Sequence, residues 1–276
     1  MMREGASSSR NGIAGEVLPA VEDRYGGVVA EMNHPMDPPL FSSLLRSSLF
    51  HWKLQGKKGV WIKLPTQLIG LAEIAIKEGF WMHHAEADYL MLVCWIAKGE
   101  NALPANASHR VGIGAFVMNN NREVLVVQEK TGRFCGQGFW KFPTGVVNEG
   151  EDISVAAVRE VKEETGIDTE FVEVLAFRQS HKIFFGKSDL FFLCMLKPLT
   201  SEIQAQESEI EAAEWMPWDE YVNQPLVQSH ELWRYIVQIC HAKTNKDYTG
   251  FTPVPVSVPD QPSLLYLNPH HLHPPQ

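Results

Sequence analysis

Cysteine is scarce in this chain. Only four occur in 276 residues, Cys94, Cys135, Cys194 and Cys240, widely spaced and with no Cys-x-x-Cys pair. This excludes a disulfide framework and argues against a structural zinc site. Cys94 and Cys194 lie in apolar, strand-like runs and read as core residues, whereas Cys135 falls in a glycine-rich loop. Long hydrophobic runs are missing too. No stretch of about eighteen apolar residues is present, so no membrane-spanning helix is expected. The N-terminal segment has no apolar stretch of the kind a secretory signal needs, and Glu4 and Glu16 weaken a transit-peptide reading of Arg3, Arg10 and the nearby serines. Positive charge is in deficit, with 24 Lys and Arg against 33 Asp and Glu, a net charge of −9. A nonspecific nucleic-acid surface needs clustered cations, so nucleic acid is not the expected partner. An acidic small molecule stays open, because a bound cation can reverse the local field. No internal repeat is evident, and 45% apolar residues are ample for a core.

What the chain does have is a concentrated run of acid. Residues 145–167 read GVVNEGEDISVAAVREVKEETGI, with Glu160, Glu163 and Glu164 within five positions, just after Arg159. A loop bounded by Gly145 and Gly150 leads into them. The spacing predicts a helix over 152–165, on which residues three and four apart share a face. At 3.6 residues per turn the three glutamates span roughly 100° of arc. Ile153, Ala157, Val158 and Val161 occupy a neighbouring arc suited to a core, and Ala156 leaves room beside the acids.

Crowding carboxylates is costly. Two of them 4 Å apart repel by about 4 kcal/mol at an effective dielectric near 20. These acids lie beyond the first helical turn, where the helix dipole would help them. Either they face water or something positive sits among them. Oxygen-only ligation suits Mg²⁺ and Mn²⁺, and Mg²⁺ binds through one or two carboxylates together with substrate phosphates. The pattern therefore points toward phosphate chemistry; the alternative is a solvated acidic helix face.

The order Gly145, five residues, Glu151, seven residues, Arg159-Glu160, Val161, Lys162, Glu163-Glu164, Thr165, Gly166, Ile167 resembles the complete Nudix box without departure. The resemblance implies a mixed-sheet α/β/α sandwich that hydrolyses the pyrophosphate bond of a nucleoside diphosphate-linked small molecule, with Mg²⁺ or Mn²⁺ as cofactor. It implies Glu160 and Glu164 as principal metal ligands, Glu163 as a further ligand or base, and Gly145 as a loop glycine whose carbonyl can approach the metal. Arg159 orients the glutamates, and Glu151 braces the loop. Some members take the general base from a loop well after the box. The acidic stretch 204–215 lies there, which makes Glu209 the candidate base or extra ligand, with Glu207 as its alternative.

Segments outside the box, at 56–65, 78–86, 88–93, 103–114 and 172–182, are similar to a plant Nudix subgroup with the same N-terminal extension. That subgroup includes enzymes that cleave ADP-ribose and NADH. The likeness implies an acetyltransferase-like α+β first domain, a homodimer and a cytoplasmic location. The region after the box reads Arg178-Gln179-Ser180-His181-Lys182, not the Ser-Gln-Pro-Trp-Pro type of one NADH pyrophosphatase class. Ile183 stands where one ADP-ribose class has proline, and residues 138–145 partly echo a coenzyme A signature, with Thr144 in place of a glycine and Arg133 one residue out of register. Coenzyme A, capped RNA and a non-catalytic binding role are the competing readings. For the base, Phe134, Trp140 and Phe177 are candidate surfaces; Lys141 and Arg178 are candidates for phosphate or ribose.

The expected organisation is a disordered terminus at 1–20, an α+β domain at 21–98, a linker at 99–107, the catalytic domain at 108–247 and a disordered proline-rich tail at 248–276. Strands are expected near 26–32, 60–64, 89–96, 170–179 and 190–196. Helices are expected at 40–52, after an Asp37-Pro38 cap, at 66–78, and at 231–241. The runs 111–118 and 123–128 read as a strand pair around three asparagines. His270, His271 and His273 suggest a transition-metal site or an unstructured tail. His83-His84 read as structural or as facing a ligand.

Overall fold

The computed structural model describes residues 16–132, 134–258, 261–268 and 270. The chain divides into two compact units, Met1–Ala107 and Ser108–Gln276. The first runs β1 (Val21–Glu22), β2 (Val28–Glu31), α1 (Pro38–Leu54), β3 (Gly59–Pro65), α2 (Ala72–Lys77), β4 (Trp81–Ala85) and β5 (Tyr89–Trp95). Its strands form one sheet in the order β1-β2-β3-β5-β4. The Asp37 side chain accepts a hydrogen bond from Leu40 N at 3.4 Å, and proline follows at the first helical position, so α1 starts where the sequence says it should. Alternate residues of β3 (Val60, Ile62, Leu64) and β5 (Leu90, Leu92, Cys94) meet Phe41, Leu44, Leu45 and Trp52 of α1 in one core.

Three expectations for this unit change. Leu18, placed in a disordered terminus, is 1% exposed, and its N–H donates to Ser48 Oγ at 2.7 Å. Its neighbours Val17, Pro19, Ala20 and Val21 are apolar too but exposed, so no periodicity marks the one that is buried. The helix expected over 66–78 divides into a 3₁₀ segment, Thr66–Leu71, and α2. His83 and His84 lie on β4, a strand that was not foreseen. Their Nδ1 atoms are 2.6 Å apart, and His83 Nε2 meets Pro104 O at 3.0 Å.

The second unit runs β6 (His109–Val117), β7 (Glu123–Glu129), β8 (Thr144–Val146), α3 (Ile153–Thr165), β9 (Thr169–Phe184), β10 (Lys187–Pro198), β11 (Ile210–Pro217), α4 (Trp218–Val222), α5 (Pro225–Ser229), α6 (Glu231–Thr244), β12 (Thr252–Val258) and β13 (Gln261–Leu267). β6 is the organising strand. It pairs antiparallel with β8 on one edge and parallel with β10 on the other. With both edges taken it cannot form the expected ladder with β7; Met118, just past β6, makes an isolated bridge to Val124, and β7 pairs with β11 instead. Side chains alternate across β6. Ile113, Ala115 and Val117 pack with Ala157 and Val161 of α3, whereas Phe116 joins the cluster against which Ile236 and Ile239 of α6 pack. The result is a mixed sheet between helices.

The proline-rich tail is not disordered where it is described. β12 and β13 pair antiparallel from Thr252↔Leu267 to Val258↔Gln261. Pro253 and Pro255 occupy alternate positions, so the intervening residues keep the N–H groups that the ladder needs. Phe251 exchanges backbone hydrogen bonds with Val174, and Tyr248 Oη donates to Leu175 O at 2.5 Å. Of the 270–273 histidine run, residues 271–273 lie outside the described residues.

The hairpin also finishes α3. Asp152 at its N-cap makes no side-chain cap bond; Tyr266 Oη accepts from Ser154 N at 3.2 Å, satisfying one of the unpaired donors of the first turn. Tyr266→Phe is expected to cost roughly 1 kcal/mol of stability in urea unfolding. An unchanged midpoint would show that the hairpin does not cap this helix.

Candidate active site

The acid-rich segment folds as strand β8, a tight loop and helix α3. Gly145 in β8 faces Glu160 so closely that a Cβ there would lie 1.8 Å from Glu160 Cδ. Any side chain at 145 would displace that carboxylate. Val146 N donates to Glu160 Oε1 at 3.2 Å. The loop is tied by Asn148 N to Glu151 Oε2 at 2.9 Å and turns at Gly150, φ 74°. α3 ends on Gly166 in the left-handed conformation, φ 73°, its N–H donating to Lys162 O.

Arg159 ties these pieces together. Its Nε and Nη2 bind the two oxygens of Glu151 at 2.7 and 2.9 Å, Nη2 also donates to Val146 O at 2.9 Å, and Nη1 reaches Glu160 at 2.8 Å and Glu163 at 3.0 Å. The guanidinium holds the Glu151 carboxyl below the usual range, and these acids push the arginine further up. Burial raises the Glu160 carboxyl, against the pull of Arg159.

Glu164 is in a different position. It is 5% exposed, and burial lifts its carboxyl to about 8; Lys141 draws it down, while Glu160 and Glu129 push it up. Its Oε2 is buried and lacks a hydrogen-bond partner. The 199–209 loop closes over the end of α3, with Gln204 N donating to Thr165 O at 2.8 Å and Gln206 N to Glu164 O at 3.1 Å. Gln206 Oε1 is a second buried oxygen without a partner. Glu209 follows on this loop, exposed, its carbonyl accepting from Lys130 N at 2.8 Å. The Glu207 carbonyl accepts from Lys130 Nζ.

Among the described residues no three His, Cys, Asp or Glu side chains converge into a metal cage. Arg159 holds Glu160 and Glu163, so the cluster is partly neutralised from within. The donor set nevertheless suits a hard cation. The buried Glu164 Oε2 has no hydrogen-bond partner, and Gly145 keeps the space at Glu160 clear.

A cavity of about 820 Å³ opens beside the box. Thr144, Lys141 and Glu129 line its polar side, with Lys141 Nζ bound to Glu129 and, at 2.6 Å, to Thr144 Oγ1. Phe134, Phe177, Phe191, Trp233 and Tyr235 supply an aromatic wall, and Arg178, Ser180 and His230 add polar groups. Phe134, Phe177, Lys141 and Arg178, candidates for base, phosphate or ribose, line this cavity; Trp140 does not, and its backbone pairs with the Gln224 side chain. Glu129, His230 and Trp233 were missed. An acid closing the apolar run 124–127 was the available signal for Glu129. Leu232, Tyr235, Ile236 and Ile239, on one face of α6, all line the cavity.

Two family models match the chain, one described as a Nudix hydrolase domain over residues 18–96 and one as a NUDIX domain over 108–235. Nudix hydrolase 2 of Arabidopsis thaliana is 72% identical over 272 residues, covering 97% of this chain and 98% of that protein. Nudix hydrolase 10 of the same plant is 52% identical, covering 97% and 96%. A human protein named nucleoside diphosphate-linked moiety X motif 6 is 38% identical over 202 residues, covering 70% and 63%.

The protonation of Glu164 makes stability depend on pH. Without metal, the folded protein keeps this proton up to about pH 8, whereas the unfolded chain releases it near 4.5. Folding is therefore coupled to proton uptake between those values, and stability falls as pH rises through them. Glu164→Gln should flatten this dependence and raise the melting temperature at pH 8 in chelator. Thermal scans across the window check this; an unchanged slope would contradict it.

Proposed function

The chain belongs to the Nudix hydrolase family, and from that premise we propose that it cleaves the pyrophosphate bond of ADP-ribose, of NADH, or of both, releasing AMP. The carrying observation is the aromatic cavity whose polar side, at Thr144, Lys141 and Glu129, adjoins the acidic box. Its volume, about 820 Å³, lies in the range of small-molecule sites. Capped RNA fits less well with a net charge of −9. Coenzyme A is the second reading, favoured by the partial signature at 138–145.

Glu160, Glu163 and Glu164, with the Gly145 carbonyl, would hold Mg²⁺ or Mn²⁺. When bound, the metal supplies charge against the pyrophosphate oxygens and makes a bound water more acidic. Arg159 orients the acids, holding Glu160 and Glu163 from one nitrogen. Glu209 accepts the proton of the attacking water as its oxygen bonds to one phosphorus. The bridging P–O bond breaks, and the other phosphate leaves. The aromatic wall takes the base and excludes water from that end. We also propose a homodimer acting in the cytoplasm. No helix among the described residues is long and apolar enough to cross a membrane.

Turnover of ADP-ribose, NADH, coenzyme A and capped RNA, compared side by side with Mg²⁺ and Mn²⁺, tests the reading. Metal-dependent AMP release from ADP-ribose or NADH is expected, falling by orders of magnitude in Glu164→Gln and by about 10²-fold or more in Glu209→Gln. Activity confined to coenzyme A or RNA would overturn the substrate assignment; wild-type turnover in Glu209→Gln would remove that residue as the base. Light scattering at micromolar concentration should give twice the chain mass, and a monomer mass would reject the dimer.

A further inference from the structure

Lys141 is an unusual residue to find where it is. It sits inside the aromatic run 139–142 and is 8% exposed. Its backbone already secures the segment, N donating to Val127 O at 3.0 Å and O accepting from Val127 N at 2.8 Å. The side chain is therefore not needed to hold the strand. A buried lysine beside a part-exposed carboxylate is seldom the most stable filling for such a place, since desolvating the ammonium group offsets much of the attraction. An apolar residue would pack against Phe142 at lower cost.

The ammonium group has three N–H donors. One meets Glu129 and one meets Thr144 Oγ1, both residues of the cavity wall. The third is left for a ligand. Lys141 also stands close enough to Glu164 for its charge to act on that buried carboxylate. It thus lines the same cavity as Phe134 and Trp233 and lies within electrostatic reach of the acids of the box. A nucleotide reaching from wall to box must bring its phosphate past this point. The competing cation of the cavity, Arg178, is more exposed and lies over the Phe191 ring, with Asp189 3.7 Å away.

Resting on the hydrolase reading above, we propose that Lys141, steadied by Thr144 and Glu129, grips the phosphate that carries the nucleoside. Glu129 and Thr144 fix the position of the ammonium group, so little side-chain freedom is lost when the phosphate arrives.

The test compares AMP with adenosine, which share a base and differ in the phosphate. Titration calorimetry is run with each, in Mg²⁺ and again in chelator. Lys141→Met should raise the Kd for AMP by roughly tenfold or more and leave that for adenosine within about twofold. A structural role would weaken both alike, and that result, or no change in either, would overturn the proposal while leaving the hydrolase reading intact. If Lys141→Met does not fold, Thr144→Val carries the same comparison, because it removes the hydroxyl that steadies the ammonium group; AMP should again weaken selectively. Wild-type protein that binds AMP but leaves ADP-ribose and NADH uncut would refute the substrate assignment and leave the phosphate grip standing. Wild-type protein that binds neither AMP nor adenosine would overturn both.

Discussion

Like charges crowded on one face of a helix repel, and the active site is arranged around that repulsion. Three glutamates leave α3 within five residues, where the helix dipole gives no relief. Arg159 answers two of them directly, and Glu151 fixes Arg159 from the other side with two further bonds. Glu164 is turned inward, where burial favours its neutral form. The repulsion is thus eased without metal: one acid is paired, one is paired and half-exposed, and burial favours the neutral form of the third. The same arrangement leaves a buried oxygen that a cation can claim.

The fold delivers this geometry through β6. By pairing with β8 and β10 at once, it places Gly145 opposite Ile113 and brings α3 down on its apolar side. The other side of the strand faces the cluster against which α6 packs, and the cavity opens there. Gly114 is part of this design: a Cβ on it would lie 2.6 Å from the Phe191 ring. The box and the cavity are therefore two consequences of one strand's alternation.

The sequence disclosed what depends on local spacing. The box helix, the Asp37 cap and the apolar arc of α3 beside its acids follow from short-range pattern, and the structure has them. It did not disclose what depends on pairing across the chain. β6 and β7 look like a hairpin until the competition for β6's edges is known. Alternating prolines read as an unstructured tail unless one asks which N–H groups the ladder needs. Leu18 lies in the short apolar stretch 17–21, whose other members are exposed, so no period singles it out as core. In the site, the box acids and Arg159 were legible because their chemistry is improbable elsewhere. Glu129 and Trp233 were not, since each looks ordinary until the fold brings them to one cavity.

The central claim is that the buried Glu164 carboxyl gives up its proton to receive a cation. Calorimetric titration of the chelator-stripped protein with Mg²⁺ at pH 7, in two buffers of different ionisation enthalpy, measures the protons released on binding. With the carboxyl at about 8, release of close to one proton per binding event is predicted. Binding heats that do not depend on the buffer would show that Glu164 is already ionised, or that the metal does not engage it, and would contradict the account.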